Sequence, residues 1–146
     1  MYIDGMLELA DALSSTVSVA STNTIDTLAD GMPYGGSFAG AFFLIRVDTS
    51  YVAGLGAPTA EFQLQTSDSE TFANAADTLV QSDAYIASEL IAGRTIKLPI
   101  PSDFRMKRYI RGYQNVTDGL SAGNRFSTSI FDMYITKDVN QFNKLA

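Results

Sequence analysis

Two carboxylates, Asp68 and Glu70, stand two residues apart in the stretch AEFQLQTSDSETF (60–72). Carboxylates at close spacing could ligate Ca²⁺ or act as an acid–base pair. A calcium loop needs several oxygen ligands at set spacings and usually a glycine for its tight turn. This stretch has no glycine, and the next acid is Asp77. Ser, Thr and Asp clusters are common turn formers because their side chains bond nearby backbone amides. The pattern therefore favours a solvated turn that follows a strand over a metal or catalytic site.

The stretch RMKRYIRGY (105–113) concentrates positive charge and tyrosine. In an extended strand, one face would carry Arg105, Lys107, Tyr109, Arg111 and Tyr113. These bases could pair with acids on neighbouring strands. They could also contact another protein, because Arg and Tyr are favoured anchors at interfaces. Stacking on single-stranded nucleic acid is a third possibility, but the acidic chain and the missing RNA-binding fingerprint argue against it. The first two interpretations stay open.

The composition narrows the chemistry further. The chain has no Cys and no His, which excludes disulfides, thiolate nucleophiles and Ser–His–Asp catalysis. It also removes the commonest transition-metal ligand. The glycine-rich stretch GMPYGGSFAG (31–40) lacks the Lys-Ser/Thr pair of a phosphate-binding loop. Any catalysis would have to rest on carboxylates, Lys, Tyr or Ser, so the composition disfavours an enzyme.

Charge is unevenly distributed along the chain. Residues 1–93 carry twelve acids and one base, whereas residues 94–146 carry nine bases and four acids. Such asymmetry predicts either internal pairing of strands or a surface with two electrostatic faces. The overall charge of −6 argues against duplex DNA as the main partner.

At 146 residues the chain is expected to form one domain over residues 1–136, followed by a C-terminal tail, 137–146. The longest nearly apolar run, FAGAFFLI (38–45), is far shorter than a membrane-spanning helix. The N-terminus has no basic segment followed by an apolar one, so no secretory signal is expected. These features predict a protein made in the cytoplasm of its cell, without membrane association.

Short runs with alternating apolar residues predict an all-β sandwich or barrel. The predicted strands are 16–21, 24–28, 40–49, 60–67, 78–86, 95–100, 107–115 and 125–136. The run 40–49 is apolar on both faces, which predicts a central strand. In the run 125–136, strict alternation would place Phe126 on one face with Ile130 and Tyr134. Helical spacing of apolar residues also suggests a short helix at 6–13, and 69–77 is typical of a helical turn.

Several segments, taken in order, resemble a known family. They are MYIDGMLELADALSSTVSVASTNTIDTL, FLIRVDTSY, FQLQTSDSETF, LPIPSDFRMKRYIRGYQN and LSAGNRFSTSIF. Their order and spacing resemble the capsid cement, or decoration, proteins of tailed bacteriophages, in the group of the Bordetella phage cement protein. The resemblance covers residues 1–135, nearly the whole chain.

This resemblance implies an antiparallel jelly-roll-like β-sandwich with little helix. It implies a structural virion protein on the outer surface of the capsid, made in the host bacterial cytoplasm. There it would cement neighbouring subunits of a major capsid protein of the HK97-type fold and stabilise the expanded shell. It further implies a homodimer, with a trimer as the alternative, and no catalysis, cofactor or direct nucleic-acid contact.

Two sets of residues are expected to contact the capsid or a second protomer. One set lies in the N-terminal segment, which would dock on the capsid or swap between protomers: Tyr2, Ile3, Met6 and Leu7. The other set lies in the basic stretch: Arg105, Lys107, Tyr109 and Arg111. The competing class is a carbohydrate- or host-surface-binding β-sandwich that would use exposed tyrosines and loops such as YQNVTDGLSAGN (113–124).

Overall fold

The chain folds mainly into β-strands. The computed structural model describes residues 8–27, 41–73, 76–101, 107–117 and 125–136. The strands in chain order are β1 (Glu8–Ser14), β2 (Val19–Ala20), β3 (Ile25–Asp26), β4 (Phe42–Leu55), β5 (Thr59–Ser67), β6 (Asp77–Gln81), β7 (Tyr85–Ile86), β8 (Thr95–Pro99), β9 (Tyr109–Val116) and β10 (Arg125–Thr136). A 3₁₀ turn, Ala87–Glu89, follows β7.

The strands form two antiparallel sheets. The first sheet has the order β1-β10-β4-β8. The second has the order β2-β9-β5-β6, with β3 also paired to β9 and β7 also paired to β5. If β2 and β3 are taken as one interrupted strand, and β6 and β7 as another, the connectivity is that of an eight-stranded jelly roll. The all-β, antiparallel, jelly-roll-like prediction is therefore confirmed.

One hydrophobic core lies between the sheets. From the first sheet, β4 contributes Phe43, Ile45 and Val47, and from the second, β5 contributes Phe62 and Leu64. Alternate residues of a strand face opposite sides of its sheet, so the buried side chains recur at every second position. The predicted central position of the 40–49 run is confirmed, because β4 lies between β10 and β8.

A smaller apolar cluster lies on the other face of β4. Leu44 is fully buried there against Tyr134 of β10, and the half-buried Phe42 packs on both. The two clusters explain why the sequence of β4 is apolar on both faces.

The helix predicted at 6–13 is wrong within the described part, since β1 begins at Glu8. The register of β1 against β10 shifts twice, between Glu8 and Ala10 and again between Ala10 and Leu13. These irregularities let the adjacent residues Leu9 and Ala10 both enter the core. A bulged strand thus produces apolar spacing that imitates a helix.

The predicted face of Phe126 is also wrong. The pairing of β10 with β4 shifts register several times between Arg125 and Phe131. Phe126 consequently lies in the core with Phe131, although the two are an odd number of positions apart, whereas Tyr134 lies in the outer cluster. The strand bounds predicted for this segment, 125–136, are confirmed.

The segment 69–77 contains a turn at residues 70 and 71 and no helix in its described residues. The predicted strand 78–86 is interrupted, because β6 and β7 are separate elements joined by residues 82–84. Among the residues that the structure describes, no helix has the length and apolar character that a membrane crossing requires.

Candidate interaction surface

The outer face of the second sheet carries the basic stretch. Along β9, buried residues alternate with half-buried ones, beginning with the half-buried Tyr109 and the buried Ile110. The outward-facing side chains are Tyr109, Arg111, Tyr113 and Asn115. Tyr109, Arg111 and Tyr113 therefore share a face, as the alternation predicts. We call this surface, together with the outward side chains of β5 and β6, the β9 face.

Arg111 occupies a defined position on the β9 face. Its Nε donates a hydrogen bond to Oε1 of Gln65 at 2.9 Å. Its guanidinium lies over the rings of Phe72, 4.1 Å from the centroid, and Tyr113, at 5.4 Å. Burial lowers the pKa of the Arg111 guanidinium below its usual value, and the side chain stays charged at neutral pH. No carboxylate of the described residues forms an ion pair with it.

Phe72 reaches Arg111 from the loop that follows β5. Its backbone has φ of 55°, in the left-handed region that a bulky residue rarely adopts. The Phe72 N–H donates to the carbonyl of Ser69 at 3.0 Å and closes the turn. The turn that carries Asp68 and Glu70 thereby places an aromatic ring on the guanidinium.

A ladder of side-chain amides continues down the same face. Gln65 donates to Gln63 at 2.9 Å, Gln63 donates to Gln81 at 3.2 Å, and Gln81 donates to the carboxylate of Glu61 at 3.1 Å. Asn115 also donates to Glu61, at 3.5 Å. Each amide has further donor and acceptor capacity beyond these bonds. The ladder therefore offers a fixed row of polar groups to a partner.

The neighbouring bases are paired within the chain. Lys107 Nζ lies 3.0 Å from Asp77 and 4.0 Å from Asp68. Arg108 makes a two-pronged contact with Asp26, with N–O distances of 2.8 and 3.0 Å. For these two bases, the structure realises the pairing of the basic stretch with the acidic first part of the chain. Arg111 differs, because its ring and amide contacts leave its charge without a carboxylate partner among the described residues.

Asp68 and Glu70 lie in the turn that the sequence predicts. The Asp68 side chain is 64% exposed and contributes the longer of the two Lys107 contacts. Within the described ranges, no group of three or more His, Cys, Asp or Glu side chains could hold a metal ion. The remaining residues proposed as contacts lie outside the described residues: Tyr2, Ile3, Met6, Leu7 and Arg105.

Sequence reasoning missed Phe72 and the amide ladder. The ladder has a signal in the sequence, since Glu61, Gln63 and Gln65 recur at every second position of β5 and so share one face. The contact of Phe72 with Arg111 has no such signal in the sequence, because it depends on an unusual backbone conformation within a loop.

A second group of charged side chains lies on the outer face of the first sheet. Asp132 of β10 is only 5% exposed and accepts a hydrogen bond from the backbone N–H of Ala12 at 2.6 Å. Ala12 has φ of 49°, so this bond holds the irregular part of β1. Asp48 of β4 lies beside Asp132, and its carboxylate is 3.9 Å from Arg46. Burial, followed by the contact with Asp132, raises the pKa of Asp48.

We expect Asp48→Asn to stabilise the protein by about 0.5 kcal/mol at neutral pH, because it removes a carboxylate beside a like charge. When the pKa of a carboxyl is higher in the folded protein than in the unfolded chain, the carboxyl favours folding at a pH below its ordinary pKa of 3.8, where it is protonated. This contribution to stability is lost as the pH rises through the raised pKa. The advantage of the variant should therefore be absent in acid, grow as pH rises through the raised pKa, and level off at neutral pH. Urea unfolding of both proteins across this pH range measures it. An advantage that does not change with pH would contradict this account.

The fold and the β9 face together define the class of this protein. It is a jelly-roll β-sandwich whose β9 face presents polar and aromatic side chains held in place by contacts with one another. The Bbp16 family model matches residues 9–130, most of the chain, and the protein belongs to this Bordetella phage family. Membership of this family indicates a phage structural protein and a component of the virion. A search of curated proteins found no match.

Proposed function

We propose that the protein decorates the outside of a tailed-phage head and cements neighbouring subunits of a major capsid protein with the HK97-type fold. Membership of a phage family supports a structural role. The observation that carries the proposal is the β9 face, where Arg111 is held by Gln65 and two rings without a carboxylate partner among the described residues. An ordered Arg beside aromatic rings is a typical anchor for a protein partner.

In this proposal the protein acts by binding alone, without catalysis or a cofactor, and it does not contact the packaged DNA. The absence of Cys and His from the sequence leaves few groups for chemistry. The acting form is a homodimer, with a trimer as the alternative. A protein that binds two shell subunits at once gains from effective concentration, so each single contact can be weak.

Cementing would also shift the conformational equilibrium of the shell toward one of its two states. A ligand stabilises the state that it binds more tightly, by an amount set by its differential affinity. A cement protein that binds the expanded shell and not its precursor therefore opposes shell contraction and rupture.

The test is co-sedimentation of the purified protein with heads that have been stripped of it, in expanded and unexpanded forms. We expect saturable binding to expanded heads and a higher temperature of DNA release once the protein is restored. Absence of binding to both forms would overturn the proposal.

Replacing the charge of Arg111 tests the β9 face directly. We expect Arg111→Gln to weaken binding to expanded heads about tenfold, equivalent to ~1.4 kcal/mol, and to reduce the salt dependence of binding. Lys97→Gln is the matched control, since it removes one positive charge from an exposed position of β8 in the other sheet. Equal binding by the two variants would exclude the β9 face as the contact.

A second candidate function is the binding of a hydroxyl-rich glycan on the host surface. The observation that favours it is the amide ladder beside Tyr109 and Tyr113, which could bond sugar hydroxyls and stack on sugar rings. Binding to host polysaccharide without binding to heads would favour this function over cementing.

A further inference from the structure

The large exposed hydrophobic side chains of the described residues gather at one end of the sandwich. Their exposed fractions range from 48% to 58%. They are Val17, Val52, Leu55, Ile86 and Ile91. We call this set the tip. Val17 follows β1, Val52 and Leu55 end β4, Ile86 ends β7, and Ile91 lies between β7 and β8.

Backbone pairing brings these separate segments together. Leu55 pairs with Arg125 at the start of β10, and the Phe126 N–H donates to the carbonyl of Thr16 at 3.1 Å. The Ala92 N–H donates to the Ser50 hydroxyl at 2.8 Å, next to Ile91. Ile86 pairs with Thr59 at the start of β5. The tip is thus assembled by the ends of several strands and not by one apolar run of sequence.

The tip is held in place by buried groups. Gln114 is fully buried and donates to the carbonyl of Val17 at 3.1 Å. Leu90 is fully buried beside Ile91, and its carbonyl accepts a hydrogen bond from the Tyr51 N–H at 2.9 Å. Ile91 also borders a depression of about 610 Å³ lined by Ser88, Glu89, Ala92, Gly93 and Arg94. Exposed apolar side chains on anchored segments with polar neighbours are typical of a protein contact site.

The opposite end of the sandwich has a different character. It carries the ion pairs of Arg108 with Asp26 and of Lys107 with Asp68 and Asp77. The two ends of the sandwich therefore differ in chemical character, with the apolar tip at one end and paired charges at the other. In the proposed homodimer the two β9 faces supply one contact per protomer, and a second site on each protomer would add to the number of shell contacts.

We propose that the tip is a second docking surface, which seats against an apolar surface of the shell protein. This inference rests on the cementing function proposed above and names a further site for it. The two sites together would let one molecule contact two positions on the shell.

The size of the tip favours the shell over a second copy of the chain. Taken together, the five half-exposed aliphatic side chains expose an apolar area on the order of 400 Å². That is about half of the roughly 800 Å² that each partner contributes to a standard stable interface. Such a contact is too small to hold a dimer in solution, but it suffices on a lattice where a second site on the same molecule is already bound.

The sequence that joins β9 to β10 has too few apolar side chains to cover the tip. The connection between β9 and β10 outside the described residues is the seven-residue segment 118–124, DGLSAGN. This segment holds one large apolar side chain, Leu120, which is too little to cover the five side chains of the tip.

The test uses a tip variant with Val52→Thr, Leu55→Gln and Ile91→Thr, which keeps β-branched shape at two positions and adds polar groups. Its control is Lys97→Gln, at an exposed position of β8 that lies outside both the tip and the β9 face. For each protein we would measure co-sedimentation with expanded heads, solution mass by light scattering, and the thermal midpoint of unfolding. The single variant Ile91→Thr, on a loop, serves if the triple variant does not fold.

We expect the tip variant to keep the wild-type mass and midpoint and to bind heads at least about tenfold more weakly, while the control binds normally. Unchanged head binding by the tip variant would overturn the inference and leave cementing intact. A fall in solution mass would assign the tip to a second copy, and a lowered midpoint would assign it to the chain's own loop; either result overturns the inference. Failure of the wild-type protein to bind heads would instead remove the cementing function and this inference with it.

Discussion

Phe131→Ala is expected to destabilise the protein by about 4 kcal/mol, in the range of large-to-small substitutions in a core. Phe131 has no exposed surface and lies on β10, the strand between β1 and β4. Its ring lies 5.7 Å from that of Phe62 in the opposite sheet and 6.2 Å from that of Tyr51. The substitution therefore removes a contact that joins the two sheets and leaves a cavity between them. Urea unfolding followed by circular dichroism measures the loss at a fixed protein concentration.

The matched control for Phe131 is Phe42→Ala. Phe42 is only half-buried and packs on the small outer cluster of Leu44 and Tyr134. Because less apolar surface is lost, we expect a cost of about 1 kcal/mol. A cost equal to that of Phe131→Ala would mean that a second molecule covers the outer cluster in solution. If Phe131→Ala does not fold, Phe131→Leu provides a smaller loss in the same direction.

The fold class could be predicted because several of the core strands alternate over most of their length. Buried residues alternate with half-buried ones along β9 and along β5 as far as Leu64, so the faces could be assigned from the sequence. The central strand β4 could also be recognised, because both its faces are apolar and both are covered. These are the positions where local pattern and tertiary burial agree.

The errors occur where strands are irregular. Leu9 and Ala10 are adjacent and both buried, and Phe126 and Phe131 share the core despite an odd spacing. Both cases follow from register shifts between β10 and its neighbours. A bulge adds one residue to one strand and exchanges the faces beyond it. The hydrophobic pattern of a single sequence does not mark where this happens, so a bulged strand was indistinguishable from a short helix.

The candidate site could likewise be predicted only in part. The alternation of Tyr109, Arg111 and Tyr113 on one face could be predicted, because it depends on strand geometry alone. The difference between Lys107 and Arg111 could not, because it depends on which side chains the fold brings across from β5, β6 and their connecting loop. Lys107 meets Asp77, whereas Arg111 meets Gln65 and Phe72.

Tyr51→Phe is expected to destabilise the protein by about 2 kcal/mol, although it removes a single oxygen atom. The Tyr51 hydroxyl donates to Oε1 of Gln114 at 2.5 Å, across the core from β4 to β9. Tyr51 is 4% exposed and Gln114 is fully buried. The variant would leave the amide oxygen of Gln114 without its donor and without access to water, and an unsatisfied buried acceptor costs more than the bond itself contributed. Tyr113→Phe, on the half-buried outer face, is the control and should change stability little.

A double-mutant cycle with Gln114→Met isolates the pair. Once Gln114 is replaced by an apolar side chain of similar length, Tyr51→Phe no longer strands an acceptor, and its cost should fall well below 2 kcal/mol on the same scale. Additive losses would mean that the two side chains do not act together. The cycle bears on the tip as well, because Gln114 holds the backbone of Val17.

Alkaline pH provides an independent readout of Tyr51. Burial raises the pKa of Tyr51 above its ordinary value of 10.0. A tyrosine whose folded pKa is raised favours folding fully below its unfolded pKa, and this contribution declines as pH rises above that value, since only the unfolded chain releases the proton. The stability advantage of the wild-type protein over Tyr51→Phe should therefore shrink as pH rises beyond 10.0. In titrations of tyrosinate absorbance, Tyr51 and Tyr134 should both ionise late, because burial raises the pKa of each above 10.0, and the late step should lose one tyrosine in the variant. A stability gap that stays constant through this pH range would show that Tyr51 is accessible to water, and the buried link between the sheets would then be wrong.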